Sequence, residues 1–226
     1  MYNDRDTLMK VLDLIMELDL QESMILIGSW DEFFYERLYN GFSATFRTLD
    51  TDFLIRRPVH KGKEFIRRMI EIGFIYEEDS FTGKSKFIMQ DNEIEFLTTL
   101  TRDNNHIYKV PVLGINAECL KYMDIPLNNL IPYTFKPGLY ILIPSPASYC
   151  LHKILINDER SKEKQSKDTM AIKNILNSFI DNQEFRIDFQ RVYKSLGRKQ
   201  KVKVDNNTIA IGIKPIVESI LMSDSR

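Results

Sequence analysis

Leu8, Val11, Leu12, Ile15 and Leu18 recur at the spacing of one helix face, which predicts a first helix over about residues 5–19 with Asp4 or Asp6 as its N-cap. Met24-Ile25-Leu26-Ile27 is a continuous apolar run closed by Gly28 and reads as a buried strand. Ser29 then caps a short helix running through Trp30, Phe33, Phe34 and Leu38. A second strand is predicted over 48–56, ended by Pro58, and a helix over 61–72, ended by Gly73. Residues 74–77, 86–89 and 93–98 read as three short strands joined by short polar links, as in an antiparallel meander. Further extended pieces are expected over 107–115 and 139–143.

The pattern changes at Pro144. Ser145-Pro146 opens a helix, and helical periodicity then predicts elements over 146–157, 163–180, 183–196 and 208–222, with Gly197 closing the third and Pro215 kinking or shortening the last. The expected class is α+β, with a small mixed sheet and helices over 1–143 and a helical subdomain over 144–226.

Composition narrows the function more than the fold. The 31 Lys and Arg against 32 Asp and Glu give a formal charge of −1, which excludes a globally basic nucleic-acid binder. No apolar run approaches the roughly 20 residues of a membrane span, and the polar start lacks the look of a signal peptide. Cys119 and Cys150 are isolated, making neither a metal motif nor a disulfide framework. A cytoplasmic protein is expected.

The chemistry concentrates in Arg47-Thr48-Leu49-Asp50-Thr51-Asp52. On a strand, Asp50 and Asp52 leave the same face. At about 4 Å and an effective dielectric near 20, two such carboxylates repel by roughly 4 kcal/mol. A divalent cation converts that penalty into a binding site, and oxygen-only ligation suits Mg²⁺ or Mn²⁺. Glu95, or its neighbour Glu93, projects from a later strand as a third carboxylate; Glu95 is preferred because Phe96-Leu97 follows it as Phe53-Leu54 follows Asp52. Gly28-Ser29 sits at a strand-to-helix junction where backbone N–H groups can approach a phosphate.

A Gly-Ser turn, a strand carrying Asp-x-Asp and a later strand with a third carboxylate together resemble the DNA polymerase β-like nucleotidyltransferase superfamily. Gly28-Ser29-Trp30 and Arg47-Thr48-Leu49-Asp50-Thr51-Asp52 are closer still to bacterial stand-alone nucleotidyltransferase-fold proteins, which resemble the nucleotidyltransferase toxins of abortive-infection systems. Lys153, Arg160 and Lys167-Asp168 follow in the order those toxins carry their basic residues, so the likeness runs over about residues 24–175. Thr51 stands where an apolar residue is more usual, and the gap from Ser29 to Asp50 is longer than in most of the superfamily.

The resemblance implies a nucleotidyltransferase that moves a nucleoside monophosphate from an NTP such as ATP to an acceptor hydroxyl and releases pyrophosphate. Asp50, Asp52 and Glu95 would hold Mg²⁺ or Mn²⁺ and carry catalysis. Gly28, Ser29, Lys153, Arg160, Lys167 and Asp168 would bind the nucleotide. The acceptor is an RNA end, a protein or a small molecule, and a partner protein is allowed for. The alternative is a non-catalytic nucleotide- or protein-binding module on the same fold.

Simpler readings stand beside these. Lys162 to Lys167 also fits a solvated helix face, and His152 a partly buried structural histidine. Gly83-Lys84-Ser85 lacks the first glycine of a P-loop and reads as a hairpin turn. The basic run 198–203 reads first as a solvated loop after a helix, and second as a support for an RNA backbone.

Overall fold

The short apolar runs of the first half close into one mixed sheet. The computed structural model describes residues 4–45, 50–101 and 105–222. The chain divides into two compact units, Met1–Asp31 with Arg47–Ile143 and Glu32–Phe46 with Pro144–Arg226.

In the first unit, α1 (Asp4–Glu17) leads to β1 (Met24–Ile27), a turn and α2 (Trp30–Leu38), whose last seven residues belong to the second unit. There follow β2 (Thr51–Ile55), α3 (Phe65–Glu71), β3 (Ile75–Glu78), β4 (Ser85–Met89), β5 (Asn92–Thr99), β6 (Ile107–Val110) and β7 (Ile115–Leu120). The strand order is β1-β2-β5-β4-β3, with β7 also on β5 and β6 on β7. β2 and β7 run parallel to β5, whereas β1–β2, β3–β4, β4–β5 and β6–β7 are antiparallel. The expected meander is therefore present as β3-β4-β5.

Period-two alternation sorts the sheet faces. Thr51, Phe53 and Ile55 lie on the face where Phe65 packs edge-on against Phe87 and Phe96, at 5.7 and 5.9 Å. The other face carries Ile25, Ile27, Leu54 and Leu97 in a cluster with Met123. Met123 precedes α4 (Asp124–Leu127), which is followed by a two-stranded ribbon of β8 (Leu130–Lys136) and β9 (Leu139–Pro144); Leu127, Leu130 and Leu142 pack on the cluster.

The second unit contains α5 (Pro146–Ile156), a 3₁₀ turn (Asn157–Glu159), α6 (Lys162–Phe179), α7 (Gln183–Ser195), α8 (Arg198–Ala210) and α9 (Lys214–Leu221). Ser145, Ser161 and Asn182 cap α5, α6 and α7 through their side-chain oxygens, as expected for these residue types. Asn207 of α8 donates to the Ile154 carbonyl at 2.7 Å, satisfying one of the carbonyls left open at the end of α5.

Segment 32–46 is part of this unit's core. The buried Glu32 carboxylate accepts from Tyr149 Oη and from the Thr45 N–H, each at 2.8 Å. Tyr35 Oη donates to the Pro144 carbonyl at 2.7 Å, and Phe42 stacks on Phe179 with centroids 5.4 Å apart.

Several expectations change. A division into 1–143 and 144–226 omits the transfer of Glu32–Phe46 to the helical unit. The piece expected over 107–115 is a hairpin: the Leu113 and Gly114 N–H groups fold back to the Val110 carbonyl, with Gly114 at φ +72°. Residues 198–203 form the start of a helix rather than a loop, with Gly197 as N-cap and the Gln200 side chain accepting its N–H. Pro215 stands in the first turn of the separate α9, where its missing N–H costs nothing, and so kinks no helix. The first residues of the strand expected over 48–56 lie outside the described residues. Among the described residues no helix is long and apolar enough to cross a membrane.

Candidate active site

Asp52 and Glu95 are brought side by side by strand register. They are direct Cα partners on the parallel pair β2–β5, so their carboxylates leave the same face of the sheet on strands about 4.8 Å apart. Glu93 shares that face but lies two residues earlier, opposite Ile88 of β4, and its carboxylate meets Lys86 at 3.3 Å. On β1 the partner of Asp52 is Ile27, a member of the apolar cluster. Asp52 thus stands where the apolar part of the face gives way to a charged part.

Gly28 completes the local shape. It adopts φ +93°, a left-handed conformation that suits glycine, and a β-carbon built there would lie 3.2 Å from Asp52 Oδ2. The backbone can therefore lie close to the carboxylate. Ser29 immediately precedes α2. Asp50 lies one residue before β2 and is exposed. Arg47 and Thr48 lie outside the described residues.

The charged part of the face extends past Glu95. Lys84 Nζ lies 3.8 Å from Glu95 Oε1 and donates to Glu118 Oε2 at 2.9 Å. Desolvation works against the Lys84 ammonium, but the hydrogen bond to Glu118 and the charges of Glu118 and Glu95 outweigh it and raise its pKa.

The helical unit brings together Lys153, Arg160 and Asp168. Lys153 Nζ donates to Asp168 Oδ1, and Arg160 Nε lies 3.1 Å from Asp168 Oδ2, an ion-pair separation without hydrogen-bond alignment. The Asp168 side chain is 5% exposed and that of Lys153 14%, so this is a buried pair rather than a surface one. Lys153 also lies over the Tyr149 ring, 4.9 Å from its centroid. His152 has its Nε2 sealed from solvent, and burial followed by the nearby Lys153 and Arg160 charges pushes its pKa down to about 3. Lys167 does not join the cluster; it pairs with Glu163 one turn earlier on α6, at 2.7 Å.

The sequence matches a family model described as nucleotidyltransferase over residues 6–196. The chain belongs to the nucleotidyltransferase family. No curated protein sequence matches it. Among solved structures, it resembles an antigenic nucleotidyltransferase-like protein from Paracoccidioides brasiliensis at 14% identity and a TM-score of 0.41, covering 86% of this chain and 90% of that one. A likeness of that size carries no further weight.

For a nucleotidyltransferase, the donor chemistry on β2 and β5 fits a hard cation. Carboxylate oxygens suit Mg²⁺, which is commonly held by one or two carboxylates plus substrate phosphates rather than by an all-protein cage. Among the described residues no group of three His, Cys, Asp or Glu side chains is arranged to hold a metal ion. The close approach of Gly28 leaves Asp52 Oδ2 uncrowded by any side chain at that position. Sequence patterns alone overlook Lys84 and Glu118. The available signal was the position of Lys84 just before β4, two residues ahead of Lys86, the Cα partner of Glu95.

Proposed function

We propose that this nucleotidyltransferase is metal-dependent and moves a nucleoside monophosphate from an NTP to an acceptor hydroxyl, releasing pyrophosphate. The reading is carried by the register that sets Asp52 beside Glu95 on parallel neighbouring strands, with Gly28 backed against Asp52. Two carboxylates on adjacent strands repel one another, and a bound cation would offset that repulsion.

A bound Mg²⁺ or Mn²⁺ would neutralise phosphate charge and stabilise the entering and leaving oxygens of an in-line displacement. Asp52, with Asp50, would supply its carboxylate ligands. Glu95 would orient the acceptor hydroxyl and take its proton as the new P–O bond forms and the bond to pyrophosphate breaks. The Gly28 and Ser29 backbone, at the entrance to α2, would face phosphate oxygens. In the helical unit Lys153 and Arg160 carry two positive charges against the single negative charge of Asp168, and we assign them to phosphate. For the acceptor we favour an RNA end, because Arg198 and Lys199 stand exposed at the start of α8 and suit a phosphate backbone.

Label transfer from each of four α-labelled NTPs, with Mg²⁺ or Mn²⁺, into RNA, into protein and into the enzyme itself tests this. Label that requires metal and disappears in an Asp50→Ala/Asp52→Ala variant supports the reading. The absence of both label and metal-dependent NTP binding would overturn it.

A further inference from the structure

Glu95 has a difficult position. Its side chain is 38% exposed on one face of the central strand β5, and the neighbouring Asp52 repels it. A flexible carboxylate so placed would turn away from the other negative group, where it could no longer face a shared substrate.

Lys84 opposes that movement. Its Nζ is within 4 Å of Glu95, but its hydrogen bond goes to Glu118, at 2.9 Å. The other lysine on this stretch, Lys86, is engaged with Glu93 at 3.3 Å and Glu77 at 3.9 Å. The division leaves Glu95 attracted but not consumed, since its oxygens accept no direct hydrogen bond from the ammonium. The backbone of Lys84 is fixed as well. Asp79 accepts from the Phe81 and Thr82 N–H groups and donates its own N–H to the Lys84 carbonyl at 2.8 Å, which locks the β3–β4 turn. Asn116 of β7 ties the same turn from the side, donating through Nδ2 to the Gly83 carbonyl and through its N–H to Ser85 Oγ, at 2.9 and 2.8 Å.

We propose that Lys84 is a positioning residue for nucleotidyl transfer, held by Glu118 and holding the Glu95 carboxylate in place beside Asp52. The proposal rests on the assignment of Asp52 and Glu95 to the reaction. Lys84 itself touches no reacting atom. Its ammonium acts as a fixed counter-charge that keeps Glu95 oriented and, as a cation, competes mildly with a metal ion for the same negative field.

That dual role gives an unusual signature. In Lys84→Met, kcat for label transfer falls about ten- to a hundred-fold, as expected for a misplaced catalytic group, with KM for the NTP nearly unchanged. Mn²⁺ binding by the same variant, read from the free-ion electron paramagnetic resonance signal without substrate, becomes several-fold tighter because a competing cation is gone. Lys84→Arg recovers most of kcat. Glu118→Gln releases Lys84 onto Glu95, so kcat falls and Mn²⁺ binding weakens. A packing role alone would lower the melting temperature and weaken metal binding in Lys84→Met, without rescue by arginine, and that result overturns the proposal. Wild-type kcat in Lys84→Met while Asp52→Asn is inactive overturns the proposal alone. An active Asp52→Asn overturns both the proposal and the site assignment beneath it.

Discussion

A β-carbon at Gly28 would lie 3.2 Å from Asp52 Oδ2, so the turn after β1 and the carboxylate on β2 fit against each other with no room for a side chain. Gly28→Ala therefore meets two obstacles. The left-handed backbone costs about 1–2 kcal/mol for any L side chain. The new methyl group also shifts the Asp52 carboxylate by a few tenths of an ångström. The expected outcome is a lower melting temperature together with a fall of about tenfold in transfer rate. Thermal denaturation and label transfer on the same preparation separate the two. A lower melting temperature with full activity would mean that the position of Asp52 Oδ2 is not critical.

Asp168 neutralises Lys153 and faces Arg160 from a buried position. Removing one partner of a buried ion pair leaves an uncompensated charge, and Asp168→Ala is expected to lose about 3 kcal/mol of stability. The double variant Asp168→Leu/Lys153→Met, which removes both charges, should regain much of it. Urea denaturation of the whole protein measures both. Equal losses in the single and double variants would contradict the pairing.

His152 predicts a specific acid sensitivity. Its folded pKa, pushed down to about 3, lies below an unfolded value of about 6.5, so the unfolded chain binds more protons between those limits. The stability associated with the neutral ring is complete above about pH 6.5 and is lost as pH falls towards about pH 3. At about pH 5 the loss is roughly 2 kcal/mol. His152→Gln should flatten this part of the curve, as read from melting temperatures between about pH 7 and about pH 5. An unchanged slope would place the acid sensitivity elsewhere.

Both thiols are buried, and burial raises the pKa of each, most strongly for Cys150. The thiolate is the reactive form, so a disulfide reagent should label neither Cys119 nor Cys150 in the native protein and both after unfolding. Rapid native labelling of Cys150 would mean that α5 opens readily.

The apolar run Phe53-Leu54-Ile55 after Asp52 and the alternation of Asn92 to Phe96 make both carboxylate strands legible from local pattern alone. Their pairing is not. Asp52 and Glu95 are 43 residues apart, and only the β1-β2-β5-β4-β3 strand order makes them neighbours. The same holds for Lys84, whose turn is visible in Thr82-Gly83 but whose contacts with Glu95 and Glu118 depend on β4 and β7 sharing β5. Residues 130–136 escape notice because Pro132 interrupts an otherwise strand-like run that pairs only with β9. The start of α8 hides for a different reason: Arg198-Lys199-Gln200-Lys201 has no apolar face, and Val204, Asn207 and Thr208 supply its buried contacts further on. Nothing local marks 32–46 as belonging with the last third of the chain, because α2 runs unbroken through the point where the two units meet in sequence.

That shared helix has a consequence for how the protein is made. A ribosome delivers Glu32, Tyr35 and Phe42 long before Tyr149, Pro144 and Phe179, the groups that satisfy and cover them. The sheet strands emerge in between. During synthesis the early segment must wait with its aromatic side chains uncovered for more than a hundred residues, and a message truncated at the natural-looking break after Ile143 would leave it waiting permanently.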